Sequence, residues 1–276
     1  MKPTVFFVID TETCRFDGMV FDIGWKAIDR KGREYSTGSY LCPDVLQTDT
    51  PYYRKKIAAY WFKANKAITP VNFATCRNIF NQEVSRIQNR GHRVVVCAYN
   101  AAFDQRVLDK TTQEMVGKRS KFIKSKRVDW LDIWLFWAES CPSAAKTMPK
   151  LKSGRIKTTA EAVAQFEISK DYEHLHEGLA DAEGEAEILR TVLGRKKKIP
   201  FNELGARCSR IANVRLGLAD PNQVYEEKPI KIVPELDFGK MSSIEIKSLK
   251  KADLFKYAVF LQNEVDKAEK KLVEIA

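Results

Sequence analysis

The sequence predicts an α/β fold in which a mixed sheet is flanked by helices. Residues 5–9 form an unbroken apolar run, which is typical of a central strand covered on both faces rather than of a half-exposed strand. Further along the chain, short apolar segments of strand length alternate with segments of helical periodicity. This alternation is typical of α/β proteins.

Three strands are predicted to open the chain as an antiparallel meander. They are residues 5–12, 20–28 and 34–41. The segment Asp29-Arg30-Lys31-Gly32 joins the last two, and its aspartate and glycine suit a tight turn. Residues 94–98 and 128–130 are predicted to complete a five-stranded sheet.

Helical periodicity is found between and after these strands. The predicted helices cover residues 52–66, residues 71–90, a segment through Leu108 and Met115, an aromatic segment with Trp134, Phe136 and Trp137, a segment ending at Phe166, and residues 179–193. Gly91 is expected to stop the second of these helices. Thr158 or Thr159 is expected to cap the helix that ends at Phe166.

The amino-acid composition indicates in which cellular compartment the protein is expected and which kind of partner it is expected to bind. The chain has 276 residues, of which 44% are apolar, enough for a substantial core. No apolar run approaches the roughly 20 residues that span a bilayer, and residues 5–9 are too short for a secretory signal, so we expect a cytoplasmic protein without a membrane segment. The six cysteines are scattered, which is typical of structural thiols. A net charge of +11 favours a polyanionic partner.

Two carboxylates stand at the tip of the first predicted strand. Ligand sites of α/β sheets lie at such carboxyl ends, and Asp10 and Glu12, two residues apart, would project from the same face. Carboxylates held together repel each other unless a cation lies between them. The pair is equally typical of a strand that simply ends in a turn with a solvated glutamate, so this stretch alone leaves both interpretations open.

Other candidate residues occur later in the chain. Asp104 follows the strand at residues 94–98 by six positions, and Asp181 opens an amphipathic helix. His176 precedes Asp181 by five positions across a glycine-containing turn, which lets a loop histidine lie over a carboxylate at a helix start. Considered alone, His176 also fits a surface-loop histidine.

In combination these residues resemble the DEDDh family of metal-dependent 3′→5′ exonucleases, the superfamily of the proofreading subunit of bacterial replicative polymerase and of RNase T. The motifs are Asp10-Thr11-Glu12, Asn100-Ala101-Ala102-Phe103-Asp104, and His176 with Asp181, all within residues 3–194. The departures are Cys14-Arg15 in place of Thr-Gly, Tyr99 in place of His, and Asp22 in place of Glu. Subfamily and substrate preference therefore do not transfer, although the compact form with a tail looks similar to bacteriophage-encoded members, which would place the protein in the cytoplasm of a bacterial host.

The resemblance implies an RNase H-like fold and hydrolysis assisted by two divalent cations, Mg²⁺ or Mn²⁺. Asp10 would bridge both cations, Glu12 and Asp181 would complete one site, and Asp104 would support the other. Hard carboxylate oxygens suit these ions. His176 would accept the proton of the attacking water, since a histidine with a pKa of about 6.5 is neutral at cellular pH.

The implied substrate is the single-stranded 3′ end of a nucleic acid. The residues assigned to it are Thr11, Thr13, Phe16, Met19, Trp61, Asn100 and Phe103. Relatives place an apolar wedge at the position of Phe16 and Met19, and Trp61 either stacks on bases or packs within its helix. DNA is favoured, but no residue is identified that would read a 2′-hydroxyl, so an RNA-trimming exonuclease and a non-catalytic nucleic-acid-binding protein stay open.

The predicted organisation has three parts. Residues 1–194 form the exonuclease-like domain, residues 195–240 a helix with a proline-containing linker or arm, and residues 241–276 an amphipathic helix. In the last part a heptad seam is formed by Leu254, Ala258, Leu261, Val265, Ala268, Leu272 and Ile275. Residues 253–276 are expected to self-associate, to bind a protein partner, or to fold back on the domain.

Overall fold

The computed structural model of the protein describes residues 2–14, 18–48, 68–151, 156–173, 175–199 and 208–217. These residues belong to one compact unit. Phe16, Trp61, the helix predicted at residues 52–66 and the heptad seam at residues 253–276 lie outside the described residues. Within the described part of the chain, none of the helices combines the length and apolar character needed to cross a membrane.

The structure contains a mixed six-stranded sheet with the strand order β4-β3-β2-β1-β5-β6. The strands are β1 Thr4–Thr13, β2 Val20–Asp29, β3 Glu34–Leu41, β4 Thr69–Pro70, β5 Arg93–Ala98 and β6 Val128–Asp132. The first three pair antiparallel, as the meander predicts. On the other side of β1, strands β5 and β6 run parallel to it, so their carboxyl ends meet β1 at one edge of the sheet.

The predicted count of five strands is wrong by one. Strand β4 is only two residues long and pairs parallel with the end of β3, where Thr69 lies opposite Tyr40 and Pro70 opposite Leu41. Such a short segment shows no alternation of apolar and polar residues, and a proline cannot donate a ladder hydrogen bond. The sequence therefore carries no strand signal there.

Helices cover both faces of the sheet. They are α1 Pro43–Thr48, α2 Phe73–Asn89, α3 Ala101–Met115, α4 Ile133–Ser140, α5 Ala144–Thr147, α6 Ala160–Glu167, α7 Gly178–Arg195 and α8 Cys208–Arg215. The predicted caps are present: Thr159 caps α6, and Gly91 lies beyond the end of α2 with a φ of +84°. The side chain of Asn72 caps α2 by accepting a hydrogen bond from the Thr75 amide at 2.7 Å.

Strand β1 contributes to two hydrophobic cores. Val5, Phe7 and Ile9 pack on the face that α2 and α3 cover. Phe6 and Val8 pack on the opposite face, against α4, α6 and α7. Because side chains alternate along a strand, Asp10 and Glu12 continue the row of Phe6 and Val8, and Thr11 continues the row of Ile9. The end of β1 therefore presents groups to helices on both faces.

Candidate metal and catalytic site

The close approach of helix α7 to strand β2 depends on two glycines. A Cβ placed on Gly24 would lie 2.0 Å from the carbonyl carbon of Gly178, and one placed on Gly178 would lie 2.7 Å from the Gly24 nitrogen. The Gly178 amide donates a hydrogen bond of 2.8 Å to Asp22 Oδ2. Asp10 and Glu12 lie opposite Gly24 and Asp22 in the β1–β2 pairing, so this contact sets the start of α7 beside the carboxylates of β1.

Three of the predicted site residues converge at this contact. Glu12, His176 and Asp181 each offer one ligand atom, and the three atoms lie within 4.8 Å of one another. Glu12 Oε1 is 3.9 Å from His176 Nδ1. Asp181 is only 1% exposed, whereas the His176 side chain is 57% exposed. The cluster therefore combines a buried carboxylate with a histidine that is accessible to solvent.

His176 reaches this position through an unusual backbone conformation. Its φ is +56°, in the left-handed region that residues with a side chain rarely adopt. The residue lies two positions before α7, and the Asp181 amide donates a hydrogen bond of 2.9 Å to the carbonyl oxygen of Glu177, the residue that follows the histidine. The loop that bears the histidine is thus held to the helix that bears the aspartate.

Asp104 approaches from the other face of the sheet. It lies in the first turn of α3, is buried, and accepts a hydrogen bond of 2.7 Å from the Thr11 hydroxyl. Thr11 is the residue between Asp10 and Glu12, so this bond ties Asp104 to the same strand end. Asn100 begins the helix with a φ of +66°, and its side chain makes no capping hydrogen bond.

Two buried acids of this region were not predicted from the sequence. Glu185 lies one turn after Asp181 on α7, is 3% exposed, and accepts a hydrogen bond of 3.0 Å from the Tyr99 amide. Asp132 ends β6 and accepts hydrogen bonds of 3.1 Å from the amides of Ala101 and Leu135, so it fixes the starts of α3 and α4. Asp129, three positions earlier on the same strand, pairs with Arg93.

The carboxylates raise one another's pKa values. Burial raises the pKa of Asp10 well above its ordinary value, and the charge of Glu185 adds to this shift, followed by those of Asp104, Asp181 and Glu12. Burial also raises the pKa of Asp104 to about 7 against the opposing Thr11 hydrogen bond, and that of Asp181 to about 7 with help from the charge of Glu12. A divalent cation would relieve this repulsion, and the oxygen-rich donor set fits Mg²⁺ or Mn²⁺.

The shifts predict the pH dependence of stability without metal. The folded protein holds protons on Asp104, Asp181 and Asp22, whose pKa values are about 7, 7 and 8, whereas unfolded aspartates release theirs near 3.8. Because the folded state binds more protons, stability must fall as the pH rises towards 8. We expect the melting temperature in EDTA to be higher at about pH 5.5 than at about pH 8.5, and Mg²⁺ to recover part of the loss at the higher pH. A melting temperature that is flat or rises over this window would contradict the prediction.

The residues assigned to substrate binding differ in their exposure and contacts. Thr11 is buried and engaged with Asp104, and Thr13 and Asn100 are partly buried. Met19 is 6% exposed and packs in the core, so the structure does not present it in an open loop. Phe103 packs partly buried against the same core, with the Arg106 guanidinium 5.6 Å from its ring centroid. For these two residues the structure supports packing.

Comparison with protein-family models finds no match, and comparison with curated proteins finds none either. Solved structures to which the chain is similar include Exonuclease X in complex with 5′-overhanging duplex DNA, at 16% identity and a TM-score of 0.39 over 76% of this chain and 99% of that chain. Another is a 3′-exonuclease that recognises the 3′ end of a histone mRNA stem-loop. It is 13% identical, with a TM-score of 0.49 over 72% of this chain and 67% of that chain. Exonuclease I of E. coli in complex with a dT13 oligonucleotide matches at 14% identity and a TM-score of 0.48 over 70% of this chain. The match spans 41% of that enzyme, so this chain corresponds to less than half of its length.

Proposed function

We propose that the protein is a metal-dependent 3′→5′ exonuclease that releases nucleoside monophosphates from nucleic-acid ends, with single-stranded DNA as the favoured substrate. The observation that carries this proposal is the convergence of Glu12, His176 and Asp181 at the tip of β1, within 4.8 Å of one another. Asp10 lies two residues before Glu12 at the end of β1, and Asp104 accepts a hydrogen bond from Thr11, the residue between them. These five groups come from separate parts of the sequence, and their arrangement around the end of β1 supports the proposal.

The donor set defines what each residue would do. Asp10, Glu12, Asp104 and Asp181 would hold two divalent cations, Mg²⁺ or Mn²⁺, which when bound supply charge stabilisation for the attacking and leaving oxygens of a phosphodiester. Glu12 and Asp181 lie with His176 in one cluster, and Asp104 is positioned from the opposite face by Thr11. The repelling carboxylates are thereby a preformed site for positive charge.

His176 is the proposed general base. Its Nδ1 faces Glu12 at 3.9 Å, so we assign Nε2 to accept the proton of the attacking water. More than half of the side chain is exposed, which gives water and a nucleic-acid end access to the ring. A general base requires this combination of a neutral imidazole and reach to the water that it deprotonates.

The proposal is tested with end-labelled single strands. With Mg²⁺, a 5′-labelled DNA strand should give a ladder that shortens from the 3′ end, and a 3′-labelled strand should release labelled monophosphate at once. EDTA should stop both reactions. RNA strands of the same sequence test the alternative of an RNA-trimming exonuclease. Binding of strands without release of mononucleotides would indicate a non-catalytic binding protein instead.

Replacing the proposed base gives a second prediction. We expect His176→Ala to lower kcat by roughly 10²–10⁴-fold, because the water then loses its proton acceptor. The fall of the rate towards acidic pH should also become shallower, because one of the groups that must be deprotonated is lost while Asp104 and Asp181 remain. The matched control is His92→Ala, since His92 packs against the Tyr35 ring with centroids 5.1 Å apart and takes no part in the site. If His176→Ala instead removed the stabilisation by Mg²⁺ and left kcat unchanged at saturating metal, the histidine would be a ligand and not the base.

A further inference from the structure

A loop between α3 and β6 carries a concentrated positive charge. We call residues 118–127 the basic loop. Its cations are Lys118, Arg119, Lys121, Lys124, Lys126 and Arg127, and all six are exposed. No acidic residue occurs from Met115 to Val128. This segment therefore presents six positive charges within ten residues without an acid among them.

Side chains from α2 and α3 hold the main chain of the basic loop in place. Arg77 Nε donates to the Lys121 carbonyl oxygen at 2.9 Å, and Asn81 Nδ2 donates to the Phe122 carbonyl oxygen at 2.8 Å. The Phe122 amide donates to Asp109 Oδ1 at 2.9 Å. Phe122 itself is buried, and its ring packs against the rings of Phe73 and Phe80.

This anchoring has an energetic cost that an ordinary connecting loop does not carry. Arg77 and Asn81 are only 8% and 7% exposed. Burying a charged or polar side chain is unfavourable unless it is hydrogen-bonded, and here most of the compensating partners are backbone groups of the basic loop. A surface loop can instead satisfy its backbone with water. The structure thus uses buried polar groups to fix the positions from which the lysines project.

The charges on the basic loop are not neutralised within the described residues. None of the six side chains forms a salt bridge there, and Lys124 Nζ donates only to the uncharged Asn78 side chain, at 2.8 Å. Of the acids beside the loop, Asp109 accepts the Phe122 amide and Asp129 pairs with Arg93. The positive potential is therefore directed to solvent, where it can attract a polyanion.

The basic loop also adjoins the helix that contributes to the site. A cavity of about 540 Å³ lies between the loop and helices α2 and α3, and Gln105 is among its lining residues. Gln105 directly follows Asp104 in the first turn of α3. Helix α3 thus supplies a carboxylate to the site and, at the next residue along the chain, a lining residue to the cavity.

We propose that the basic loop binds the phosphate backbone of a single-stranded nucleic acid upstream of the 3′ end that occupies the carboxylate site. This rests on the proposed function for the identity of the polyanion and for the position of its 3′ end. Lysines on a fixed scaffold are suited to positioning a strand through its phosphates, and such contacts carry no sequence preference. The loop would therefore strengthen the binding of long strands and leave the shortest substrates unaffected.

The test removes three loop charges without touching the anchoring bonds. The variant Lys121→Gln/Lys124→Gln/Lys126→Gln is compared with Lys31→Gln/Lys170→Gln/Lys198→Gln, which removes the same charge from exposed positions outside the basic loop. Binding of labelled DNA strands of twelve and three nucleotides is measured by fluorescence anisotropy in EDTA over a range of salt concentrations. Cleavage does not occur under these conditions, so failure of this proposal is distinct from failure of the proposed function.

We expect the loop variant to reduce the slope of log Kd against log salt for the long strand by roughly 0.7 for each lost phosphate contact, or about 2 in total. The short strand should bind as it does to the wild type, and the control variant should keep the wild-type slope. An unchanged slope, or an equal loss in both variants, would overturn the proposal. Equal competition by a polyglutamate peptide of matched charge would also overturn it and would indicate an acidic protein segment as the partner.

Discussion

Asp181→Asn is expected to abolish nuclease activity and to raise the melting temperature of the metal-free protein. Asp181 is buried, and its pKa is raised to about 7 by that burial and by the charge of Glu12. Near pH 8 the wild type therefore contains a buried anion beside another carboxylate, which asparagine replaces at nearly constant shape. We expect a gain in metal-free stability on the order of 1–3 kcal/mol at that pH. Activity should fall by more than the roughly 10–100-fold that loss of an outer-shell partner costs, since Asp181 is a proposed ligand itself.

The control for this prediction is the same substitution at another buried aspartate. Asp132 uses its two carboxylate oxygens to accept the amides of Ala101 and Leu135. In Asp132→Asn, one acceptor oxygen becomes an amide nitrogen, which is a donor and would face a backbone N–H group. We therefore expect this variant to lose about 1–3 kcal/mol in free energy of unfolding and to have a lower melting temperature. Thermal denaturation in EDTA with and without Mg²⁺ measures both variants. Destabilisation of the metal-free protein by Asp181→Asn would indicate a structural carboxylate.

The strands were predictable where their own pattern was sufficient. The third strand, Glu34–Leu41, has the bounds that the sequence predicts, because a tight turn and the end of an alternating segment delimit it. The central strand extends one residue beyond the prediction at each end, to Thr4–Thr13. Strand β4 could not be predicted, since its two residues are ordered by pairing with the end of β3 and not by a pattern of their own.

The site shows the same division between local pattern and tertiary packing. Motif spacing identified Asp10, Glu12, Asp104, His176 and Asp181 as candidates. It did not identify Glu185, because Glu183, Glu185 and Glu187 follow one another at equal spacing on α7. The side chains of Glu183 and Glu187 are 47% and 44% exposed, whereas Glu185 is buried beside Tyr99. Only the packing of the helix against the sheet separates the three.

Gly24→Ala is expected to disrupt the site without changing any of its functional groups. The added methyl group would lie 2.0 Å from the Gly178 carbonyl carbon and from the Leu179 nitrogen, and neither backbone atom can rotate away. Strand β2 and the start of α7 must separate, with an expected loss of about 3 kcal/mol or more in free energy of unfolding. Displacement of His176 and Asp181 by about 1 Å should cost on the order of 100-fold in activity. Thermal denaturation and the end-labelled DNA assay measure the two effects.

Gly194→Ala provides the matched control within α7. A Cβ at Gly194 meets no atom within 4 Å, and the residue lies in the last turn of the helix. Alanine there should be neutral or stabilising by up to about 1 kcal/mol, because it favours the helix and restricts the unfolded chain. Full activity and Mg²⁺ stabilisation in Gly24→Ala would contradict the role of the glycine contact in assembling the site. If instead only Gly24→Ala loses both properties, the ligand geometry depends on backbone contact between β2 and α7, since the carboxylates and the histidine are identical in the two variants.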